Sequence, residues 1–456
     1  MKTLIILTSI GLVGLFSEIF RIRKILLPVV FIGLIAAIAT AVGDWNTNVS
    51  YYNDMMVVDN YSLAFSITMI ATTFLWFIMS SGFFSDDSNN SDHFALIIFA
   101  LIGATLMTSF NNMLMLFLGI EILSISMYIL AGSNKTSLAS NESALKYFLM
   151  GSFATGFLLF GIALVYGATA SFNITQIAAK IGTGDLQSSW MLYTGILMMM
   201  IAMAFKVSAA PFHFWAPDVY QGAPTVITSF MSTVVKTAAV AAFFRLFIHT
   251  FAGQPHMWHT TLWVISALTI IVGNILAVYQ TNVKRMLAYS SISHAGYMLL
   301  AILAMNGSAG SSLLFYAIAY SASSLASFAI LLTVSGATGN ESIESFYGLG
   351  KKNPFVAVMV VISVLSLAGI PPTAGFFAKY YIFATAMQNG LTPLVLIAIA
   401  GSLIGVLYYF RLIIAIFRDG DNQAVTPAPL FKVVMVVAAV IALALGIVPG
   451  LVVGLL

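Results

Sequence analysis

Fourteen stretches of this 456-residue chain are apolar enough to cross a bilayer, and that repetition constrains the fold more than any other feature. A hydrocarbon core needs about 20 apolar residues per helix. Cut at polar and Gly/Pro/Asn clusters, the runs start near residues 3, 25, 61, 93, 111, 142, 190, 223, 258, 283, 310, 354, 391 and 429. Only 7% of the residues are charged and 60% are hydrophobic, with a mean hydropathy of +1.01. Soluble domains carry about a quarter charged residues. The pattern therefore predicts an all-α polytopic membrane protein of about 14 transmembrane helices. The first run, Leu4 to Phe20, has no basic flank beyond Lys2 and no small-residue cleavage site, and reads as a retained span rather than a signal peptide. The polar stretches at 43–60, 85–92 and 170–189 are too short to be soluble domains.

Lysine and arginine in short loops set orientation. With the N-terminus outside, the inner loops hold Arg21, Arg23, Lys24, Lys135, Lys284, Arg285, Lys351, Lys352, Arg418 and Lys432, against Lys2 and Lys180 outside. Ten against two places both termini on the periplasmic side, since fourteen is even. The net charge of +3 is spread too thinly to argue for nucleic acid. No cysteine is present, which excludes disulfides, thiolate metal sites, iron–sulfur clusters and cysteine catalysis in this chain.

Within the runs lie Glu121, Lys206, Lys236, His294 and Lys379, with Lys146 slightly inside its own. A lysine or aspartate at a helix centre costs about 2.5–3.5 kcal/mol on insertion scales. Structural ion pairs, or side chains that snorkel to an interface, are the plain alternative, and snorkelling suits Lys146, Arg245 and Arg411 near run ends. It does not suit Lys206, Lys236 and Lys379, which have about ten or more apolar residues on either side. One central glutamate cannot neutralise three central lysines, so some are neutral, hydrated or paired only part of the time. A lysine stripped of water exchanges its proton readily, which is the chemistry of a relay. His213 and His294 read either as further relay groups or as satisfied buried imidazoles. His93, His249, His256 and His259 lie near loops and read as interfacial residues, and no histidine spacing suggests haem or metal.

Pro211, Pro217 and Pro224 fall in the run of Lys206, and Pro371 and Pro372 in that of Lys379. Helices 7 and 12 of the fourteen are therefore expected to break at mid-membrane, where freed carbonyls hold water. The offset of five is odd, so these helices cross in opposite directions, and helices 4–8 and 9–13 are expected to form two inverted five-helix repeats. The expected organisation is a three-helix segment at 1–92, a first repeat at 93–251, a second, inverted repeat at 252–418 and a final helix at 419–456.

The stretches FKVSAAPFHFWAPDVYQGAPT, KRMLAYSSISHAGY and GIPPTAGFFAKYYIF closely resemble motifs of the antiporter-like proton-translocating subunits of respiratory complex I, and the likeness covers essentially all fourteen runs. By that resemblance Glu121 matches the family's helix-five glutamate, Lys146 the helix-six lysine, Lys206 the helix-seven lysine and Lys236 the helix-eight lysine, while Lys379 matches the lysine of the broken twelfth helix. Lysine rather than glutamate at 379, and an end after the fourteenth run without a long lateral helix, set this chain apart from two other family members.

The resemblance implies a non-redox translocase subunit of a bacterial NADH:quinone oxidoreductase in the inner membrane. Protons would move through the Glu/Lys/His groups, driven by redox chemistry elsewhere. It implies other membrane and peripheral subunits as partners, neighbouring antiporter-like subunits among them. NAD, FMN, iron–sulfur clusters and quinone would belong to those partners, with no cofactor here. Two alternatives stand beside it: a subunit of a multi-subunit cation/proton antiporter, and a structural membrane subunit whose charges only pair helices.

Overall fold

The computed structural model describes residues 1–17, 19–20, 25–80, 90–184, 186–420 and 425–456. Arg21, Arg23, Lys24 and residues 85–89 of the acidic loop lie outside the described residues. Among the described residues, twelve helices are long and apolar enough to cross a membrane, and two shorter apolar helices, Lys2–Phe16 and Pro354–Ala368, accompany them. All fourteen apolar runs coincide with helical segments. The chain divides into two compact units: residues 1–74, 82–207 and 234–262, and residues 75–81, 208–233 and 263–456.

The first unit holds α1 (Lys2–Phe16), α2 (Leu26–Gly43), a hairpin of β1 (Val49–Tyr51) with β2 (Met56–Val58), most of α3 (Asn60–Ser80), α4 (Asn90–Ser109), α5 (Met113–Ala131) and α6 (Leu138–Thr169). It continues through α7 (Ile174–Thr183) and α8 (Ser189–Lys206). The second unit contributes α9 (Trp215–Gly222) and α10 (Thr225–Phe230), after which a π-turn, Met231–Val235, leads into α11 (Lys236–Thr250) of the first unit. From α12 (His259–Val278) onward the chain runs almost entirely in the second unit. There follow α13 (Val283–Ala304), α14 (Ala309–Thr338), the single turn α15 (Leu349–Lys352), α16 (Pro354–Ala368), α17 (Ala374–Gln388), α18 (Thr392–Phe417) and α19 (Pro429–Ile447).

Asparagine opens many of these helices: Asn112, Asn173, Asn282 and Asn353 each accept a backbone N–H of the first turn with the side-chain oxygen. That satisfies a donor the helix cannot pair itself. Small residues let helices approach closely without a hydrophobic drive between them. A Cβ on Gly161 of α6 would stand 2.9 Å from the Gly195 carbonyl oxygen of α8, and one on Gly195 would stand 2.9 Å from that of Gly161.

The two units share a local motif. Asn112, at the start of α5, forms an isolated antiparallel bridge with Asn173, beyond the 32-residue α6. Asn282, at the start of α13, forms the same bridge with Ser342, beyond the 30-residue α14. The hydrogen bonds repeat too: Met113 N–H to Phe172 and Ile174 N–H to Asn111 in one, Val283 N–H to Glu341 and Ile343 N–H to Thr281 in the other.

Two spans are interrupted as their prolines predict. The seventh stops at Lys206, turns through residues 207–214 and resumes as α9, while the twelfth stops at Ala368, turns through residues 369–373 and resumes as α17.

Candidate functional site

In the first unit, Glu121 lies on α5 with Ser124 one turn further on, and a three-residue spacing puts both on one face. Thr155 of α6 donates to the Glu121 carboxylate at 2.8 Å. Lys206, the last residue of α8 and only 6% exposed, donates from Nζ to Ser124 Oγ and stands 5.9 Å from the centre of the Tyr128 ring. Ser124 in turn donates to the Ile120 carbonyl, so its lone pairs face the lysine. Thr155 and Lys206 also line one narrow cleft, with Gly151, Ala154 and Ala202. Lys206 and Glu121 thus reach neighbouring groups with no ion pair between them among the described residues: Ser124, one helical turn from Glu121 on α5, takes the lysine, and Thr155 takes the carboxylate.

Lys236 opens α11 directly after the π-turn and is 2% exposed. A π-turn often marks a functional position. Lys146 stands apart from the cleft: it pairs with Glu142 at 2.7 Å along α6, with 40% of its side chain exposed. Arg245 is buried, its guanidinium bonded to both Asp59 oxygens at 2.9 and 3.1 Å and to the Phe110 carbonyl at 2.9 Å. The expectation that Arg245 snorkels is thereby corrected, because Asp59 supplies the counter-charge inside the protein.

In the second unit, Lys379 is 7% exposed and donates to the Ala368 carbonyl at 2.6 Å and to Ser402 Oγ at 2.8 Å, with the Tyr297 ring 5.3 Å away. Ala368 is the last residue of α16, and Lys206 is the last of α8. At both breaks, then, a lysine stands at the end of the first half-helix, Lys206 by its place in the chain and Lys379 by donating to the last carbonyl, where the negative end of the dipole favours a cation. Gly369 ends α16 at φ +83°, and a Cβ there would come within 2.8 Å of the Lys379 side chain. Only glycine takes that conformation freely and leaves room for the lysine.

His294 is 4% exposed and shares hydrogen bonds through Nδ1 with Tyr316 at 2.6 Å and through Nε2 with Tyr409 at 3.2 Å. Tyr409 continues to Ser290. Both ring nitrogens therefore meet hydroxyls, the arrangement needed to accept a proton on one side and release one on the other. His213 lies in the turn after α8, packed on Phe214 at a ring distance of 4.5 Å, and its Nδ1 and Ser208 Oγ are buried without hydrogen-bond partners among the described residues.

Of the residues expected from sequence, Glu121 and Lys206 come together. Lys236, His213, His294 and Lys379 are each buried in their own surroundings, and Lys146 is half-buried on α6 beside Glu142. The hydroxyls that hold them, from Ser124, Thr155, Tyr316, Ser402 and Tyr409, were not singled out by sequence. Ser124 had a signal, a polar residue one turn from Glu121 in an apolar run, whereas nothing separates Tyr409 from other aromatic residues of α18.

The family described as NADH:quinone oxidoreductase/Mrp antiporter, TM, matches residues 110–405. This chain belongs to that family. It is 47% identical over 442 residues to NADH-quinone oxidoreductase subunit N of Cytophaga hutchinsonii, covering 96% of this chain and 95% of that one. It resembles a chain of respiratory complex I from Thermus thermophilus with bound aureothin at 32% identity and a TM-score of 0.84, over 99% and 98% of the two chains. A chain of the Mrp complex from Dietzia sp. DQ12-45-1b shares the fold at a TM-score of 0.87 and 20% identity, over 99% and 94%. The family assignment and the apolar helices make this a multi-pass membrane protein. The alignment with the Cytophaga relative runs over nearly the whole of both chains.

Proposed function

We propose that this chain is the proton-translocating subunit N of a bacterial NADH:quinone oxidoreductase, lying in the inner membrane with both termini on the periplasmic side. The observation that carries the reading is that buried Lys206 bonds Ser124, one turn from Glu121, while Glu121 is held by Thr155, which lines the same cleft as Lys206. A permanent structural pair has no use for two competing hydroxyls; a pair that opens and closes does. The relay we infer comprises Glu121, Lys146, Lys206 and Lys236 in the first unit and His213, His294 and Lys379 in the second. NAD, FMN, iron–sulfur clusters and quinone belong, in this reading, to partner subunits, whose redox steps bias the Lys206–Glu121 equilibrium. This chain then contributes a translocase and no redox centre. Both breaks place polar groups where water enters, and a relay group there binds and releases protons instead of staying charged.

The inverted repeats at 93–251 and 252–418, flanked by 1–92 and 419–456, belong to the same proposal. The matched bridges Asn112–Asn173 and Asn282–Ser342 and the breaks five spans apart support them. A subunit of a multi-subunit cation/proton antiporter is the second reading, favoured by the fold shared with the Mrp chain. The much higher identity to subunit N over nearly the full chain favours the first.

The test is Lys206→Ala and Lys206→Arg in the complete complex, reconstituted in vesicles. Both variants are expected to lose most proton pumping while the complex still oxidises NADH with an artificial acceptor. Arginine fails although it keeps the charge, because it does not release its proton. Acidification by Lys206→Arg at the parent rate would leave Lys206 a structural cation only. A purified complex without NADH oxidation, flavin or iron–sulfur partners would decide for the antiporter.

A further inference from the structure

A cavity of ≈ 470 Å³ opens in the second unit where α18 ends, and the reading of Glu121, Lys206 and Lys379 gives it no role. Its walls include Ser342, Glu344, Tyr347, Arg411, Ile414 and Arg418. Arg411 is half-buried and donates to the carbonyls of Val278, at the end of α12, and Gln280. A guanidinium offers five N–H donors, so Arg411 keeps donors beyond these two contacts. Arg418 donates to the Tyr347 hydroxyl at 3.2 Å and has its guanidinium carbon 5.2 Å from the centre of that ring, and its remaining donors have no partner among the described residues. Glu344 is the one carboxylate in the lining among the described residues, against two cations.

The cavity lies at the end of a membrane span, not in open solvent. Leu403, Leu407, Phe410, Ile414 and Phe417 recur every three or four residues along α18, and all are exposed. That stripe is an exposed apolar wall, and Ile414 belongs to both the wall and the cavity. From Leu403 to Ile414 the helix rises about 16 Å at about 1.5 Å per residue, roughly half of a 30 Å hydrocarbon core. The wall therefore matches the depth of one leaflet. Arg418, Lys351 and Lys352 sit on the loops that the basic-residue bias assigns to the inner side, the face of the membrane where anionic lipids attract cations.

We propose that this cavity binds an anionic phospholipid, its phosphate held by Arg411 and Arg418 and one acyl chain lying along Leu403, Leu407, Phe410 and Ile414. Guanidinium forks match phosphate oxygens in geometry as well as charge. Free inorganic phosphate would use the same cations but has no need of the apolar stripe, which is why the lipid is favoured.

The purified complex, stripped of lipid in detergent, is mixed with phosphatidylglycerol or phosphatidylcholine carrying a photoreactive acyl chain, illuminated, and mapped by peptide. Labelling within residues 403–417 is expected from phosphatidylglycerol and not from phosphatidylcholine. Arg418→Gln should weaken it about fivefold, the attraction of one basic side chain for an anionic lipid surface, and Arg418→Lys should restore most of it. Arg418 is exposed, so its variants are expected to keep the parent's unfolding midpoint. Equal labelling by both lipids, or undiminished labelling of Arg418→Gln, would overturn the proposal. Loss of labelling in millimolar inorganic phosphate would identify a free-anion site instead. Photoreactive groups placed at Ile414 that couple to a neighbouring protein would mean that a subunit, not lipid, covers this wall.

Discussion

Ser124→Ala probes the balance on which the Lys206 site depends. Two hydrogen bonds to charged groups hold the present arrangement, Lys206 to Ser124 and Thr155 to Glu121. Each is worth about 1.5–3 kcal/mol, or roughly 3–6 kcal/mol together. Direct contact between the lysine and the carboxylate at about 4 Å and an effective dielectric near 20 is worth about 4 kcal/mol. The ranges overlap, so the open and closed arrangements lie close in energy, as a switch requires. Deleting the Ser124 hydroxyl removes one of the two holding bonds and tilts the population toward the closed pair by about ten- to a hundredfold, at 1.4 kcal/mol per tenfold. In vesicles carrying the complete complex, Ser124→Ala is expected to lower acidification per NADH oxidised about tenfold or more. Electron transfer to an artificial acceptor should stay unchanged, and Ser124→Thr, which keeps a hydroxyl, should recover most of the loss. Acidification by Ser124→Ala at the parent rate would refute the reasoning, because the hydroxyl would then not hold Lys206 open.

Gly369→Ala forces a Cβ into a left-handed position and against Lys379, at a backbone cost of about 1–2 kcal/mol before the lysine moves. A lowered unfolding midpoint together with lost acidification is expected, and a variant normal in both would show that the break has slack. Asp59→Asn leaves the buried Arg245 without its counter-charge, and a cost near the lower end of about 3–5 kcal/mol is expected because Asp59 keeps 25% exposure. Thermal unfolding measures it, and an unchanged midpoint would contradict the pair's role. Lys351 and Asp419 sit 2.5 Å apart with 78% and 87% of their side chains exposed, and each holds the other charged: Asp419 is shifted below the usual carboxylate range and Lys351 above the usual lysine range. Their attraction is lost as pH falls through the Asp419 value or rises through the Lys351 value, and is constant between. Asp419→Asn should leave assembly and midpoint unchanged at neutral pH and physiological salt, because exposed pairs are screened.

What the sequence disclosed and what it withheld follow from the range of each interaction. Continuous apolarity is local, so all fourteen spans were legible, and the prolines at 211, 371 and 372 announced both breaks for the same reason. The partners of buried charges come from distant parts of the chain: Lys206 meets Ser124 82 residues away, and Arg245 meets Asp59 186 residues away. Asp59 lies in the polar stretch before α3, where a carboxylate looks like an ordinary loop residue, so Arg245 was expected to reach for an interface that it does not need. The hairpin at 49–58 and the paired bridges at Asn112 and Asn282 rest on backbone hydrogen bonds, which leave little trace in hydropathy.

One feature of the breaks was half visible. The lysines could be placed near the prolines, but not the end of the helix each would serve. Lys206 ends the first half of its own helix, whereas Lys379 reaches back from the second half to the last carbonyl of the first. Lys379 thus brings its ammonium to the negative end of a half-helix, while Lys206 sends its own across to Ser124 of α5. The hydroxyl within reach, Ser124 for Lys206 and Ser402 for Lys379, is what the two buried cations have in common, and it comes from a helix distant in sequence from either proline.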